Sequence, residues 1–283
     1  MSRKIFLSFL GTNDYVDCNY FLEENPDIRI DDVKYIQEAI IKIHKSDLSE
    51  DDVCYFFLTE DAKHRNWEDN GQFNKETRTY SKPNKGLNAR LQELKTKGEL
   101  KAGIQFEDIP EGYSSEEIWT IFHKIVDIVH PGDIIYLDIT HAFRSIPMLG
   151  MVLMNYLKAL HGVEVKAIYY GAFEKLGFAG QVQNMPIEQR NAPILNLISF
   201  SILQNWTNAA YDFISYGNAN NFVQLANNEI NPLLRSKSDR TEVARKINVF
   251  VQSLKNVVEN LQTNRGRNIV QGEIFARLMT NID

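Results

Sequence analysis

The sequence predicts an α/β fold with a Rossmann-like, mainly parallel sheet of about six strands, helices on both faces of the sheet, and an all-α C-terminal segment. Three observations support this prediction. Short apolar runs of strand length alternate with amphipathic helical patterns over the first two thirds of the chain. The alternation stops near residue 171, and the patterns that follow residue 195 are helical.

The first elements are a strand, a helix and a second strand. Lys4–Leu10 is a continuous apolar run of strand length, and 31–45 carries Val33, Ile36 and later isoleucines at helical spacing behind an acidic first turn. Val53–Thr59 is a second apolar run of strand length. This order predicts the start of a parallel sheet with a helical crossover.

The middle of the chain repeats this alternation. We expect a helix over 84–97 that ends at Gly98, followed by a shorter strand over 104–109. Ser114 with Glu117 three residues later is typical of a capping box, and Pro131–Gly132 ends the helix that this box begins.

The last strands of the predicted sheet are Ile134–Ile139 and Val163–Tyr170. Between them, Pro147 lies in the first turn of a helix that runs to His161. The stretch 171–186 holds three glycines and is rich in turn residues. We therefore predict an α/β domain over 1–185 and a helical segment over 186–283.

Three helices are predicted in the second segment, at 195–216, 222–234 and 241–264, because apolar residues there recur at three- and four-residue steps. We expect this segment to be a helical linker or dimerisation region, or the start of an effector domain that has been trimmed.

The composition excludes several classes of protein. The net charge of −6 and the pI near 5.6 leave no global attraction for long nucleic acid. Two cysteines, Cys18 and Cys54, are too few for a disulfide framework or a cysteine zinc site, and the histidines lack ligand-like spacing, so no metal is expected. The longest apolar stretch, Ile146–Ala159, falls short of the roughly 20 residues that span a bilayer. The N-terminus leads directly into a strand rather than a signal sequence, so we expect a cytoplasmic protein without membrane contact.

Ligands of such sheets bind beyond the carboxyl ends of the strands, which directs attention to the loops 11–20 and 140–145. The segment Asp138–Ser145 places hydroxyls, an imidazole and the Arg144 guanidinium before a helix, where backbone N–H groups attract phosphate. An alternative is that Ser145 only caps the helix, Asp138 satisfies loop amides and His141 packs locally.

The loop after the first strand offers a different chemistry. Backbone at Gly11 can approach a ligand closely, and Tyr15 can stack on a base. Taken alone, Thr12–Asn13–Asp14 is also an ordinary turn. The loop lacks the G-x-G-x-x-G fingerprint and no P-loop occurs, so a dinucleotide cofactor or a nucleoside triphosphate is disfavoured. No cofactor is expected.

Several segments together resemble one family. They are L-S-F-L-G-T-N-D-Y, the following C-N-Y, F-L-T-E-D-A-K-H-R-N-W and D-I-T-H-A-F-R-S-I-P. In this order they resemble the CRISPR-associated Rossmann-fold (CARF) sensor domains of type III CRISPR systems, in the branch marked by an Asp-x-Thr-His-Gly motif. The resemblance covers about residues 4 to 175. It departs from the motif at Ala142, where the family usually has glycine.

The resemblance implies a homodimer with a cyclic oligoadenylate bound in a groove on its two-fold axis. We favour cyclic tetra-adenylate, and cyclic hexa-adenylate obeys the same symmetry. The implied ligand-binding residues are Gly11, Thr12, Asn13, Tyr15, Thr59, Glu60, Lys63, Thr140, His141, Arg144 and Ser145. For Thr59, Glu60 and Lys63, a solvated loop after a core strand is the alternative.

Three functions stay open at this point. The first is a sensor that allosterically controls a C-terminal effector. The second is a ring nuclease that cleaves its ligand without metal, by attack of an adenylate 2′-OH, with His141, Arg144 and Ser145 as catalytic residues. The third is a transcription regulator, which would need a basic recognition helix that the tail does not plainly show. Every histidine precedes residue 162, so the tail lacks the Arg-x(4–6)-His motif of HEPN ribonucleases.

Overall fold

A computed structural model describes residues 2–68, 73–74, 79–80, 85–141, 146–235 and 242–262. The chain divides into two compact units, Met1–Ser199 and Phe200–Asp283.

The first unit is built on one large sheet. Among the described residues the strands are β1 (Lys4–Leu10), β2 (Cys18–Leu22), β3 (Asn25–Val33), β4 (Val53–Leu58), β5 (Phe73–Asn74), β6 (Thr79–Tyr80), β7 (Gly103–Asp108), β8 (Ile134–Asp138), β9 (Glu164–Gly171) and β10 (Asn191–Asn196). Eight of them form a sheet in the order β3-β2-β10-β9-β8-β1-β4-β7, whereas β5 and β6 pair only with each other. The predicted mainly parallel α/β fold is therefore confirmed.

The order of the strands creates a switch point at β1. β1, β4, β7, β8 and β9 are parallel. After β1 the chain forms β2 and β3 at one edge of the sheet. It then returns to β4 beside β1, continues outward to β7, and crosses to β8 on the other side of β1 and on to β9. In such sheets a crevice opens where the strand order reverses, at the carboxyl ends of the two flanking strands. Here these are β1 and β8, whose register sets Ser8 opposite Asp138.

Helices cover both faces of this sheet. The described helices are α1 (Ile36–Ile43), α2 (Glu60–Ala62), α3 (Leu87–Thr96), α4 (Ser115–Ile128), α5 (Ile146–His161), α6 (Ala179–Val182), α7 (Ile198–Tyr216), α8 (Asn220–Arg235) and α9 (Glu242–Gln262). Buried residues of α1 and α3, such as Ile40 and Leu91, pack on one face of the sheet. Buried residues of α4 and α5, such as Ile125 and Leu157, pack on the other.

Several helix ends follow the sequence signals. Gly98 adopts φ +72° directly after α3, a backbone conformation that glycine tolerates best, and its N–H donates to the Lys95 carbonyl at 3.0 Å. At the start of α4, the Ser114 hydroxyl accepts from the Glu117 N–H at 3.2 Å, while the Glu117 carboxylate reaches back to the Tyr113 N–H at 2.8 Å. These caps satisfy backbone groups that the helices leave open.

Three strands of the main sheet were not predicted. The sequence analysis assigned 31–45 to a helix, but 31–33 belong to β3, which pairs antiparallel with β2, and α1 begins at Ile36. It also began a helix at Leu195, which lies in β10. β10 contains Pro193, a residue that cannot donate to a ladder and argues against a strand when read alone. Because β10 returns to the sheet, the compact units divide after Ser199, later than the boundary predicted at 185.

The second unit is helical, as predicted. Val223, Ala226 and Ile230 of α8 pack with Val251, Leu254 and Val258 of α9. Trp206 and Phe213 of α7 lie against this cluster. In the part of the chain that the structure describes, no helix combines the length and the apolar character needed to cross a membrane.

Candidate functional site

The two loops singled out in the sequence meet at the switch point. Gly11 directly follows β1, and Thr140 and His141 follow β8. A Cβ placed on Gly11 would lie 3.3 Å from the His141 Cβ and 3.0 Å from the Tyr15 hydroxyl, so the two loops are in contact and a larger residue at position 11 would crowd them. The loops therefore form one local structure.

A buried carboxylate holds the loop after β8. Asp138 is fully buried and accepts hydrogen bonds from the Ser8 hydroxyl at 2.7 Å, the Thr140 N–H at 3.0 Å and the Thr140 hydroxyl at 2.6 Å. Burial raises the pKa of Asp138. The Thr140 hydroxyl also accepts from the Gly171 N–H at 2.9 Å, which links the ends of β8 and β9. Asp138 therefore satisfies a loop amide, which was the structural alternative for this residue. Thr140 also has a structural role, because its hydroxyl accepts from the Gly171 N–H.

Helix α1 extends the network beneath the loops. The buried Gln37 amide donates to the Ser8 hydroxyl and to the Phe9 carbonyl, both at 3.1 Å. The ends of β1 and β8 are therefore tied to each other and to a covering helix by side chains without access to water. Such a network fixes a single geometry, because breaking one bond leaves a buried polar group unpaired.

Two rings form the centre of the site. The Tyr15 hydroxyl accepts from the Gly11 N–H at 3.0 Å, and the Tyr15 ring centroid lies 4.6 Å from that of His141, edge to face, and 5.0 Å from that of Tyr35. Burial raises the pKa of Tyr15 well above its ordinary value, so its hydroxyl stays protonated at neutral pH. Tyr15 is a fixed wall of the site.

His141 carries an unused polar atom. Its Nε2 is buried and has no hydrogen-bond partner in the structure as described. Burial lowers the pKa of His141 to about 4, so the imidazole is neutral at physiological pH, with one ring nitrogen able to donate and the other to accept.

A turn of π-helix after α2 braces the loop after β1. In this turn, Lys63–Trp67, the buried Asn66 amide donates to the Gly11 carbonyl at 2.8 Å and to the Asn13 carbonyl at 3.1 Å. Arg65 donates to the Thr12 carbonyl at 3.4 Å. No role was predicted for Arg65 or Asn66, although both lie in the segment F-L-T-E-D-A-K-H-R-N-W, which resembles the family.

Three residues of that segment were expected to touch a ligand and have other surroundings here. The buried Thr59 hydroxyl caps α2 by accepting from the Ala62 N–H at 3.3 Å. Lys63 lies over the Phe106 ring and pairs with Asp108 at 3.0 Å, at the end of β7. Glu60 is exposed in the first turn of α2. Arg144 and Ser145 lie outside the described residues.

A cleft of about 500 Å³ opens beside the two rings. Of the predicted residues, Asn13, Tyr15, Thr140 and His141 line it. Gly11 and Thr12 lie outside the lining, and their carbonyls accept the bonds from Asn66 and Arg65. The remaining lining residues are Asp14, Val16, Tyr20, Lys34, Gly171, Phe173, Glu174, Gly177, Phe178 and Ala179.

The cleft contains residues that the sequence analysis missed. Lys34 precedes α1, and Phe173, Glu174 and Phe178 follow the carboxyl end of β9. The strand-end rule that identified the other two loops applies to the loop after β9 as well. Its turn-rich composition was instead taken to mark a domain boundary.

The charges of the cleft are mixed. Of the described residues that line it, Lys34 is the one lysine or arginine, and Asp14 and Glu174 are acidic. In the part of the chain that the structure describes, no cluster of three or more His, Cys, Asp or Glu side chains is placed to hold a metal ion.

Comparisons with known proteins agree with this geometry. The family model described as "CRISPR system endoribonuclease Csx1, CARF domain" matches residues 5–174, the part of the chain that holds seven of the eight strands of the sheet, the two loops and most of the residues that line the cleft. The chain is also 32% identical over 130 residues to CRISPR-associated protein MJ1674 of Methanocaldococcus jannaschii. That match covers 45% of this chain but 19% of the relative, so most of the relative has no counterpart in it. The family match extends over more than half of the chain, and the chain therefore belongs to the CARF family of CRISPR-associated proteins.

Proposed function

We propose that this chain is a sensor of type III CRISPR signalling that binds a cyclic oligoadenylate as a homodimer and thereby controls a C-terminal effector. The observation that carries the proposal is the cleft at the topological switch point, lined by Tyr15, Thr140 and His141 from the motif segments. Family membership makes the chain a ligand-sensing protein of CRISPR systems. The ligand, the dimer and the effector are parts of the proposal.

Two features suit the phosphates of such a ligand. Helix α5 begins at Ile146, shortly after His141, and a helix N-terminus offers free N–H groups and the positive end of the helix dipole. Lys34 adds a positive charge to the lining of the cleft. An acidic chain can bind a polyanion in this way because the few cationic groups of a symmetric dimer act twice.

His141 suits a ribose or an adenine. A buried polar atom without a partner costs about 1–3 kcal/mol, and a ligand that hydrogen-bonds to Nε2 recovers that cost. If the imidazole turns Nε2 toward the cleft that His141 lines, the unprotonated atom can accept from a ribose 2′-OH or from the exocyclic amine of adenine. Thr140, which Asp138 holds, directly precedes His141, and the Tyr15 ring packs edge to face against the imidazole.

The surface of α5 supports the homodimer. Met148, Val152, Tyr156 and Leu160 recur at every fourth residue along one side of this helix, and all are exposed, Met148 by 77% and Leu160 by 63%. Trp119 of α4 is exposed as well, by 59%. Such a row of large apolar side chains is typical of a surface that a partner covers. Because α5 begins five residues after His141, which lines the cleft, we expect pairing through α5 to bring two clefts to one two-fold axis.

The described side chains favour binding over cleavage of the ring. A general acid or base works best with a pKa near the working pH, and the pKa of His141, about 4, lies well below it. The Thr140 hydroxyl is committed to Asp138 and Gly171. We favour cyclic tetra-adenylate as the ligand because a two-fold groove accommodates its two symmetric halves, and cyclic hexa-adenylate obeys the same symmetry.

The test is a calorimetric titration of the full chain with cyclic tri-, tetra- and hexa-adenylate in the absence of metal, followed by chromatography of the ligand over several hours. We expect one ring to bind and to be recovered intact. Linear adenylates with 2′,3′-cyclic phosphate ends would show a ring nuclease instead. Binding of none of the three rings would contradict the proposed function.

A further inference from the structure

The wall of the cleft that follows β9 presents an aromatic ring to solvent. Phe178 lines the cleft, yet its side chain is 82% exposed. Phe173, in the short 3₁₀ turn Phe173–Leu176, lines the same cleft and is half-buried against the core. An exposed phenylalanine is not unusual alone, but this ring belongs to a concave site.

The backbone fixes the position of Phe178. Gly177 before it has φ +113°, a region that side-chain-bearing residues rarely adopt. The Phe178 carbonyl accepts from the Gln181 N–H at 2.8 Å and the Val182 N–H at 3.0 Å, which makes Phe178 the N-cap of α6. Val182 of α6 is fully buried. The exposed ring is thus carried by a segment anchored on its C-terminal side in the core.

The charges of this wall are unfavourable for phosphate. Glu174 lines the cleft between the two phenylalanines in the chain, and the Tyr170 hydroxyl donates to its carboxylate. Asp14 adds a second carboxylate. The features that suit an anion, Lys34 and the start of α5, lie on other segments. A nucleotide in this cleft therefore places its base, and not its phosphate, against the wall formed by Phe173, Glu174 and Phe178.

We propose that Phe178 is a stacking platform for one purine base of the bound ligand. Every base has a face that stacks on an aromatic ring, and a stacked base covers the apolar surface that Phe178 exposes. This inference rests on the proposed function and assigns the base end of the site, with the phosphates toward the loop after β8. In a homodimer, two such platforms receive two bases of one ring.

The experiment compares the affinity of the full chain for cyclic tetra-adenylate with that of three variants by calorimetry. Phe178→Ala is expected to weaken binding roughly 5- to 150-fold, the range for loss of one stacked base. Phe178→Trp is expected to keep the affinity within about twofold, and its added tryptophan fluorescence is expected to be quenched by the ligand. Tyr113→Ala is the matched control, because Tyr113 is 84% exposed and lies outside the cleft lining.

The outcomes separate this inference from the proposed function. If the unmodified chain binds the ring and Phe178→Ala binds it equally well, the stacking platform is wrong and the sensor function stands. The same holds if Tyr113→Ala weakens binding as much as Phe178→Ala does. If the unmodified chain binds no ring, both proposals fall. Because Phe178 is exposed, its truncation leaves the core intact, and the melting temperature of each variant verifies this.

Discussion

His141 combines burial, neutrality and an unpartnered ring nitrogen at the point where two loops meet. In the folded chain the pKa of its imidazole is lowered to about 4 by burial, against an ordinary value of 6.5. Between these two values the unfolded chain binds more protons than the folded chain. The free energy of unfolding therefore falls as the pH drops through this window, and the contribution is absent above about pH 6.5.

We predict that the lowered pKa of His141 reduces the free energy of unfolding by up to about 3 kcal/mol at pH 4 relative to pH 7. Replacement by a residue of similar size that does not titrate, His141→Gln, should remove it. Urea unfolding at pH 7, 5.5 and 4 measures the difference between the two chains. Identical pH dependence of the unmodified chain and His141→Gln would show that the imidazole is accessible to protons in the folded state.

A substitution at Lys34 tests whether the positive charge of the cleft contributes to ligand binding. We predict that Lys34→Ala weakens cyclic tetra-adenylate binding roughly tenfold, the effect of losing one hydrogen bond to a charged group. The loss should shrink at high salt because the interaction is partly screened. Lys101→Ala is the control, since Lys101 is exposed just before β7, at the opposite end of that strand from the cleft. Equal effects of the two substitutions would mean that only the net charge matters.

Only part of the predicted set of site residues lies at the cleft. Asn13, Tyr15, Thr140 and His141 line it, whereas Thr59 caps α2 and Lys63 pairs with Asp108. The commitment of the Thr140 hydroxyl to Asp138 depends on the register of β1 and β8, which no local pattern encodes. Lys34 was missed for a similar reason, since it is far in sequence from the motifs that meet at the switch point.

Among the elements, the π-helical turn Lys63–Trp67 has the clearest structural role, which is to support the loop after β1. It directs Asn66 onto the carbonyls of the loop after β1, while Trp67 packs against Phe56 with ring centroids 5.2 Å apart. Turns of π-helix often occur at functional sites because they redirect a side chain within a helical path.

We predict that Asn66→Ala lowers the free energy of unfolding by about 1–3 kcal/mol, because two part-buried hydrogen bonds from its amide to the loop carbonyls are lost. It should also weaken ligand binding, since the loop 11–15 is no longer held. Thermal unfolding and calorimetry measure the two effects. Asn88→Ala on α3 serves as the control for loss of a surface amide. Full ligand affinity in a destabilised Asn66→Ala chain would remove the turn from the binding site.

Elements with strong local signals were predicted correctly. Apolar runs gave β1, β4, β8 and β9, and glycine or capping residues gave the ends of α3 and α4. The strands β2, β3 and β10 were not predicted. β3 is largely exposed at the edge of the sheet, and its apolar alternation is limited to Pro26, Ile28 and Ile30, whereas β10 is a short segment with a proline.

We expect the chain to act as a homodimer. We predict that Val152→Glu shifts the chain from dimer to monomer, because a charge in the centre of the apolar row on α5 would be buried without a partner. Sedimentation velocity measures the change, and circular dichroism checks that the fold persists. Thr96→Glu is the matched control, since Thr96 is an exposed β-branched residue of α3, the helix layer on the other face of the sheet. A dimer that survives Val152→Glu unchanged would place the interface elsewhere.

For the helical second unit, the sequence predicted the helices but not the function. Its apolar periodicity predicted α8 and α9 to within a few residues. Periodicity reports only which side of a helix is buried, so it carries no information about what an attached effector does.

Native mass spectrometry of the full chain with cyclic tetra-adenylate tests whether two chains share one ring. We predict a complex of two chains with one intact ring, because each chain supplies half of a two-fold site. A complex of one chain with one ring, or no complex in the presence of excess ligand, would contradict it.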